Sequence, residues 1–79
     1  MGITILYFGM LAEITGQGSE IWPAEQSLSV GDLKKGIQEK YPLLSGKKFK
    51  IAVNQQIGDD QAIIPLKSEV ALLPPFAGG

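Results

Sequence analysis

The stretch Val70-Ala71-Leu72-Leu73-Pro74-Pro75-Phe76-Ala77-Gly78-Gly79 decides how the rest of the chain is read. Val70 to Leu73 is an apolar run of strand character. Pro74-Pro75 stops it, because proline cannot donate to a sheet ladder and its φ is fixed. Phe76-Ala77 then leads to Gly78-Gly79, two positions with no side chain and, at the tip, a carboxylate. A strand that ends in a stiff root and a thin tip predicts a folded handle presenting a tail.

Working outward, the partner of such a strand is sought first at the other end of the sequence. Ile3-Thr4-Ile5-Leu6-Tyr7-Phe8 is rich in β-branched and aromatic residues and reads as a strand. Ile3, Ile5 and Tyr7 face one way, and Thr4, Leu6 and Phe8 the other. Both faces are mostly apolar, which suits a central strand covered on both sides or one whose second face meets a partner. Met10 to Thr15 predicts a short helix with Leu11 and Ile14 on its buried side. Gly16-Gln17-Gly18 ends it. Ser19-Glu20-Ile21-Trp22 predicts a second strand, with Pro23 at its edge and Trp22 packing there.

The main helix starts at Ser29-Val30-Gly31-Asp32, where Ser29 suits the N-cap and Asp32 the positive helix end. Val30, Leu33, Ile37 and Tyr41 recur at helical spacing and form the core stripe. Gly36 in mid-helix costs about 1 kcal/mol against alanine, which predicts close approach of another backbone there. Pro42 ends the helix. Leu43-Leu44-Ser45-Gly46 reads as a turn with apolar anchors, and Phe49 to Val53 as a third strand. Asn54-Gln55-Gln56 forms the next turn, Asn54 being the residue most able to take left-handed geometry. A short fourth strand is expected around Ile57 or around Ala62-Ile63-Ile64, and Pro65 to Ser68 is a loop.

Two strands, one main helix, then further strands predict an α+β fold: a mixed sheet of four to five strands with the helix across one face. With first and last strands adjacent and parallel, and a right-handed crossover, this is the β-grasp, or ubiquitin-like, arrangement. The 79 residues are expected to form one domain, residues 1–79, with 74–79 as an extended functional tail ending in a flexible Gly-Gly. A chain of this size holds one modest core, like other domains of roughly 60 to 80 residues.

The totals exclude several kinds of function. A net charge of -1, from 7 basic and 8 acidic residues, lacks the basic excess of a nucleic-acid binder. Lys47-Lys48-Phe49-Lys50 reads as a solvated loop entering a strand. The absence of cysteine and histidine removes disulfides, thiolate metal sites, the usual general base and the usual metal ligand. Asp59-Asp60 reads as a solvated turn rather than a cation site, so no metal is expected. No apolar run approaches the ~20 residues of a membrane span, and no secretory leader is visible, so a cytoplasmic location is the expectation.

Ala52-Val53-Asn54-Gln55, Pro65-Leu66 and Glu69-Val70-Ala71-Leu72-Leu73-Pro74-Pro75-Phe76-Ala77-Gly78-Gly79 together resemble the small, sulfur-carrying subunit of molybdopterin synthase, the MoaD type of the MoaD/ThiS family. Ile3 to Phe8 followed by a short helix with Glu13 fits the same pattern, so the resemblance spans essentially the whole chain. Its specific part is the tail. Leu72-Leu73 stands where the family often has aromatics, and Lys67-Ser68 replaces a Gly-Asp type of turn. The thiamin-pathway carrier (ThiS type) shares the fold and the Gly-Gly end but is usually shorter and lacks the Pro-Pro.

The resemblance implies a cycle in which Gly79 is the reacting group. An adenylyltransferase of the ubiquitin-activating kind (MoeB type) uses ATP on its carboxylate, a separate sulfur donor protein then yields a thiocarboxylate, and the large subunit (MoaE type) uses that sulfur to build the dithiolene of molybdopterin. It also implies a heterotetramer with the large subunit and no cofactor bound by this chain itself. The residue types suit this chemistry. Gly78 and Gly79 can enter a narrow channel. Residues Pro74 to Gly79 can reach about 20 Å when extended. Phe8, Leu73, Pro74, Pro75, Phe76, Ala77 and Gly78 are the expected partner-binding residues, with Phe8, Leu73 and Phe76 either plain core or an exposed apolar patch. Three other readings stay open: a thiocarboxylate carrier of the thiamin (ThiS-type) or another sulfur pathway, a ubiquitin-like protein modifier, and a plain β-grasp interaction domain.

Overall fold

The computed structural model describes residues 2–74, so the expectations for Pro75, Phe76, Ala77, Gly78 and Gly79 lie outside the described residues. Strand β1 (Gly2–Tyr7) is followed by helix α1 (Met10–Thr15) and strand β2 (Ser19–Pro23). Then come β3 (Leu28–Ser29), helix α2 (Val30–Lys40) and a 3₁₀ turn over Pro42–Leu44. Strands β4 (Lys50–Val53), β5 (Gln56–Ile57), β6 (Ile63–Ile64) and β7 (Glu69–Leu73) complete the order.

The main sheet has five strands in the order β2-β1-β7-β4-β5. β1 and β7 run parallel at its centre, with Ile5 opposite Val70 and Tyr7 opposite Leu72, and the other pairings are antiparallel. This is the β-grasp topology expected from the order of elements. The alternation in β1 is as expected: Ile3, Ile5 and Tyr7 are buried, while Thr4 and Leu6 are half-buried. Leu11, Val30, Leu33, Ile37, Leu44, Ile51, Ile64, Val70 and Leu72 complete the core between the sheet and the helices. A buried aliphatic side chain contributes about 1.5–3 kcal/mol, so this one layer carries most of the stability.

Local chemistry sets the ends of α2. The Ser29 hydroxyl accepts the Asp32 N–H at 3.1 Å, as expected of an N-cap. Two more N–H groups of the first turn are satisfied by the 60s loop: Val30 donates to the Ala62 carbonyl and Gly31 to that of Asp60. The same crossing makes Leu28–Ser29 a strand, paired with Ile63–Ile64 in a separate two-stranded sheet. Both sites proposed for a short fourth strand are therefore strands, on different sheets, whereas Leu28–Ser29 carries no strand pattern of its own.

Two local expectations need correction. Gly36 does face a close neighbour, but it is a side chain: the Trp22 indole, not a backbone. Of the expected turn anchors only Leu44 is buried, because the 3₁₀ turn points Leu43 outward at 71% exposure. Asn54 takes the left-handed conformation expected of it, with φ 48°, and Gln55 follows at 73°.

Candidate functional site

The sheet order places the root of the tail beside the end of β1. Tyr7 is opposite Leu72, so Phe8 follows alongside Leu73, and the Phe8 N–H donates to the Leu72 carbonyl at 3.3 Å. On the other side, Leu73 is paired with Lys50 at the start of β4. Beyond Leu73 the chain lies over Gly9. There a β-carbon would sit 3.1 Å from Pro74 Cγ, and the backbone has φ 59° and ψ -133°, a conformation that disfavours residues with side chains. Pro74, with its fixed φ, is thus seated on a glycine turn at the end of β7.

The sheet face away from α2 is apolar around this root. Registers align Leu6, Ala71, Ala52 and Ile57 in one row across β1, β7, β4 and β5. Leu6, Ala71 and Leu73 are half-buried, and Phe8 is 45% exposed and Ile57 62%. Phe8 therefore belongs to an exposed apolar patch, and Leu73, half-buried and outside the core cluster, lies beside it. Pro74 is half-buried against Gly9. Gly9, Ala52 and Ile57 also border this face, and the sequence reading does not assign them to it. The apolar residues on both faces of β1 were the signal for Ala52 and Ile57, since a second apolar face needs neighbours across the sheet. Gly9 gave no such signal.

The ionisable groups with shifted titration lie on the opposite, helix-facing side. The hydroxyls of Tyr7 and Tyr41 donate to Glu20 Oε1 at 2.7 and 2.8 Å, and Lys40 Nζ donates to Oε2. Burial opposes ionisation of Glu20, but the bonds from Lys40, Tyr7 and Tyr41 outweigh it and hold its carboxyl below the usual carboxylate range. Burial, reinforced by Glu20, pushes the Tyr7 phenol up. This cluster ties β1, β2 and α2 together and offers no free base to solvent. An open groove of about 640 Å³, lined by residues including Val53, Asn54, Ile57 and Ile63, lies toward the opposite end of β7 from the tail root.

Among the described residues no group of three or more His, Cys, Asp or Glu side chains could hold a metal ion. Nor is any helix among them long and apolar enough to cross a membrane. Asp59 and Asp60 form an exposed turn in which Asp59 accepts the Gln61 N–H. The arrangement supports presentation of the segment after Pro74 to another protein across an apolar face.

Comparison with known proteins agrees with this geometry. The sequence profile of the ThiS family matches residues 5–79. A human protein named molybdopterin synthase sulfur carrier subunit is 34% identical over 98% of this chain and 93% of its own length. One of the same name from Mycobacterium tuberculosis is 32% identical, over 98% of this chain and 96% of its own. A solved structure from Pyrococcus furiosus, described as molybdopterin converting factor, subunit 1, superposes with a TM-score of 0.88 at 17% identity, covering 96% of this chain and 99% of that one, and shares the fold. On the profile match and these two relatives, the chain belongs to the ThiS family.

Proposed function

We propose that this protein is the sulfur carrier subunit of a molybdopterin synthase. The observation that carries the proposal is its full-length relationship to proteins bearing that name. In this reading the Gly79 carboxylate attacks ATP on a MoeB-type adenylyltransferase, releasing pyrophosphate. Sulfur from a separate donor protein then displaces AMP to leave a thiocarboxylate. A MoaE-type large subunit uses that sulfur for the dithiolene of molybdopterin and returns the carboxylate. The chain contains neither cysteine nor histidine, so it supplies the reacting carboxyl group while its partners supply the catalytic side chains.

The described geometry supports delivery of a tail to a partner. β1 and β7 place the root at the centre of the sheet. Phe8, Leu73 and the row through Leu6, Ala71 and Ile57 offer an apolar surface for a partner that receives the tail. Gly78 and Gly79 demand the least width from the receiving channel. The full assembly is two carriers on a dimer of large subunits.

The test is co-expression with the adenylyltransferase and a sulfur donor, followed by intact-mass measurement. The expected result is a gain equal to the difference between sulfur and oxygen, lost again when the large subunit and its pterin substrate are added and molybdopterin forms. An unchanged mass with an active enzyme control overturns the proposal. A gain that no large subunit can discharge into molybdopterin assigns the carrier to another sulfur pathway. Lysine adducts of the chain in cells would instead make it a protein modifier.

A further inference from the structure

The charges of this chain are unevenly placed. Residues 40–58 contain four of its seven lysines and none of its eight acidic residues. Lys40 is engaged with Glu20, the one ion pair among the described residues. Lys47, Lys48 and Lys50 are exposed, and all three belong to the approach to β4 and its first residue. Lys34 adds a fourth cation from α2, its ammonium 5.8 Å from the centre of the Phe49 ring.

This cluster has a defined place relative to the tail. Lys50 is the Cα partner of Leu73, one residue before Pro74. Because β4 and β7 are antiparallel, Lys47 and Lys48 lie beyond that pair, toward the end where the chain leaves the sheet. The acidic groups that face the cluster are few. Asp60 borders the same shallow recess as Lys34 and Lys50. Asp32 and Glu39 sit on α2 with Lys34, and Glu13 on α1 beside the β1 turn. Glu69 begins β7 and so occupies the end away from the tail. The molecule is weakly acidic overall and basic on one flank of its tail root.

We infer that the Lys47, Lys48 and Lys50 flank is an electrostatic docking surface for an acidic rim beside the tail-accepting channel of the protein that activates the C-terminal carboxyl. The inference rests on the carrier reading above and names the surface chemistry of its partner. Charges at the rim of an interface act mainly on encounter: they raise the association rate, lose their effect as salt screens them, and align the two surfaces before close contact. Placing them beside the tail, and not at the far end of the sheet, means the aligned encounter already points the tail at its channel. The apolar patch of Phe8 and Leu73 then supplies contact area.

The experiment measures association of the full chain with its adenylyltransferase by stopped flow, and the rate of mass gain, over a range of ionic strengths. Variants are the triple substitution Lys47→Glu/Lys48→Glu/Lys50→Glu and a charge-preserving triple Lys→Arg. All three positions are exposed, and circular dichroism checks that the fold is kept. The expected result is an association rate lowered roughly tenfold or more by the Glu substitutions at low salt, with the gap closing as salt rises, and a near-normal rate for the Arg variant. If the Glu variant associates as fast as the parent with the same salt dependence, while the parent gains sulfur normally, the docking inference is overturned and the carrier reading stands. If the parent gains no sulfur at all, the carrier reading fails and the docking inference falls with it.

Discussion

The Trp22 indole occupies the notch that Gly36 leaves in α2, and a β-carbon at Gly36 would lie 2.9 Å from Trp22 Cζ2. Trp22 pairs with Ile3, so it faces the helix from the outer strand of the sheet and closes that side of the core. Two opposed effects meet at this position. Alanine would gain about 1 kcal/mol of helix propensity. Displacing a packed side chain costs typically 1–3 kcal/mol. The indole is fixed between Gly36 and the Lys40 ammonium, 5.6 Å from its ring, so packing wins. Gly36→Ala is expected to destabilise by about 1 kcal/mol in urea unfolding. In a Trp22→Leu background the same change should become stabilising. A stabilising effect in the parent would mean that the indole moves aside freely.

Glu20 supports a pH-dependent prediction. Its folded-state pKa is held below the ordinary value of 4.5, so its contribution is present above that value and is lost as pH falls through the folded one. The unfolded chain takes up the proton first on acidification, which pulls the equilibrium toward unfolding. Glu20→Gln keeps the shape but gives up the charge that Tyr7, Tyr41 and Lys40 converge on. It is expected to cost about 1–2 kcal/mol at neutral pH, allowing for solvent screening of the Lys40 bond. The difference between parent and variant should shrink as pH falls below 4.5 and through the lowered folded-state value. A difference that stays constant from neutral to acid would show that the carboxylate charge contributes nothing.

How far the sequence reveals the fold depends on where each signal resides. β1, α1 and α2 announce themselves because their apolar periodicity and caps are local: Ile3, Ile5 and Tyr7 alternate, and Ser29 stands three residues before Asp32. β3 does not, because Leu28–Ser29 is a strand only by virtue of Ile63–Ile64 across from it. Leu43 and Leu44 look alike in sequence, yet only the turn geometry after Pro42 decides that Leu44 enters the core. At the candidate site, Phe8, Leu73 and Pro74 are legible from strand parity and the proline stop. Gly9 becomes meaningful only when β7 delivers Pro74 onto it, and Lys50 only when it is paired with Leu73.

Asn54 fastens the β4–β5 turn to the start of β7. Its N–H donates to the Glu69 carbonyl at 2.8 Å, and its side-chain Oδ1 accepts the Glu69 N–H at 3.1 Å. It does so with φ 48°, where a side chain other than Asn, Asp or Gly costs about 1–2 kcal/mol. Asn54→Ala should therefore lose both the conformational preference and a hydrogen bond, about 2 kcal/mol in total. Asn54→Gly loses the bond but accepts the backbone geometry, and should fall between the parent and Asn54→Ala. Equal stability of the two variants would remove backbone geometry as the reason for asparagine here. Thermal unfolding of the three proteins is sufficient to rank them.

The exposed face around the tail root separates stability from partner binding. Phe8 is 45% exposed and contributes little to the core, so Phe8→Ser should change stability by about 0.5 kcal/mol or less. An interface whose centre is an aromatic anchor loses 2 kcal/mol or more when that anchor is truncated, roughly a thirtyfold drop in affinity. In the proposed complex, Phe8→Ser is therefore expected to weaken binding to the large subunit by about that factor, while the melting temperature stays within a few degrees. Ile21 is the matched control: at 65% exposure on β2 it lies on the same sheet face but opposite Thr4, farther from the tail root than Phe8. Ile21→Ser should bind more nearly as the parent does. If the two substitutions weaken binding equally, contact is spread across the sheet and is not centred on the tail root. If neither does, the apolar face is not the surface that meets the large subunit. Isothermal titration of the three proteins with the large subunit distinguishes these outcomes, because the affinities report contact and the unfolding curves report the fold.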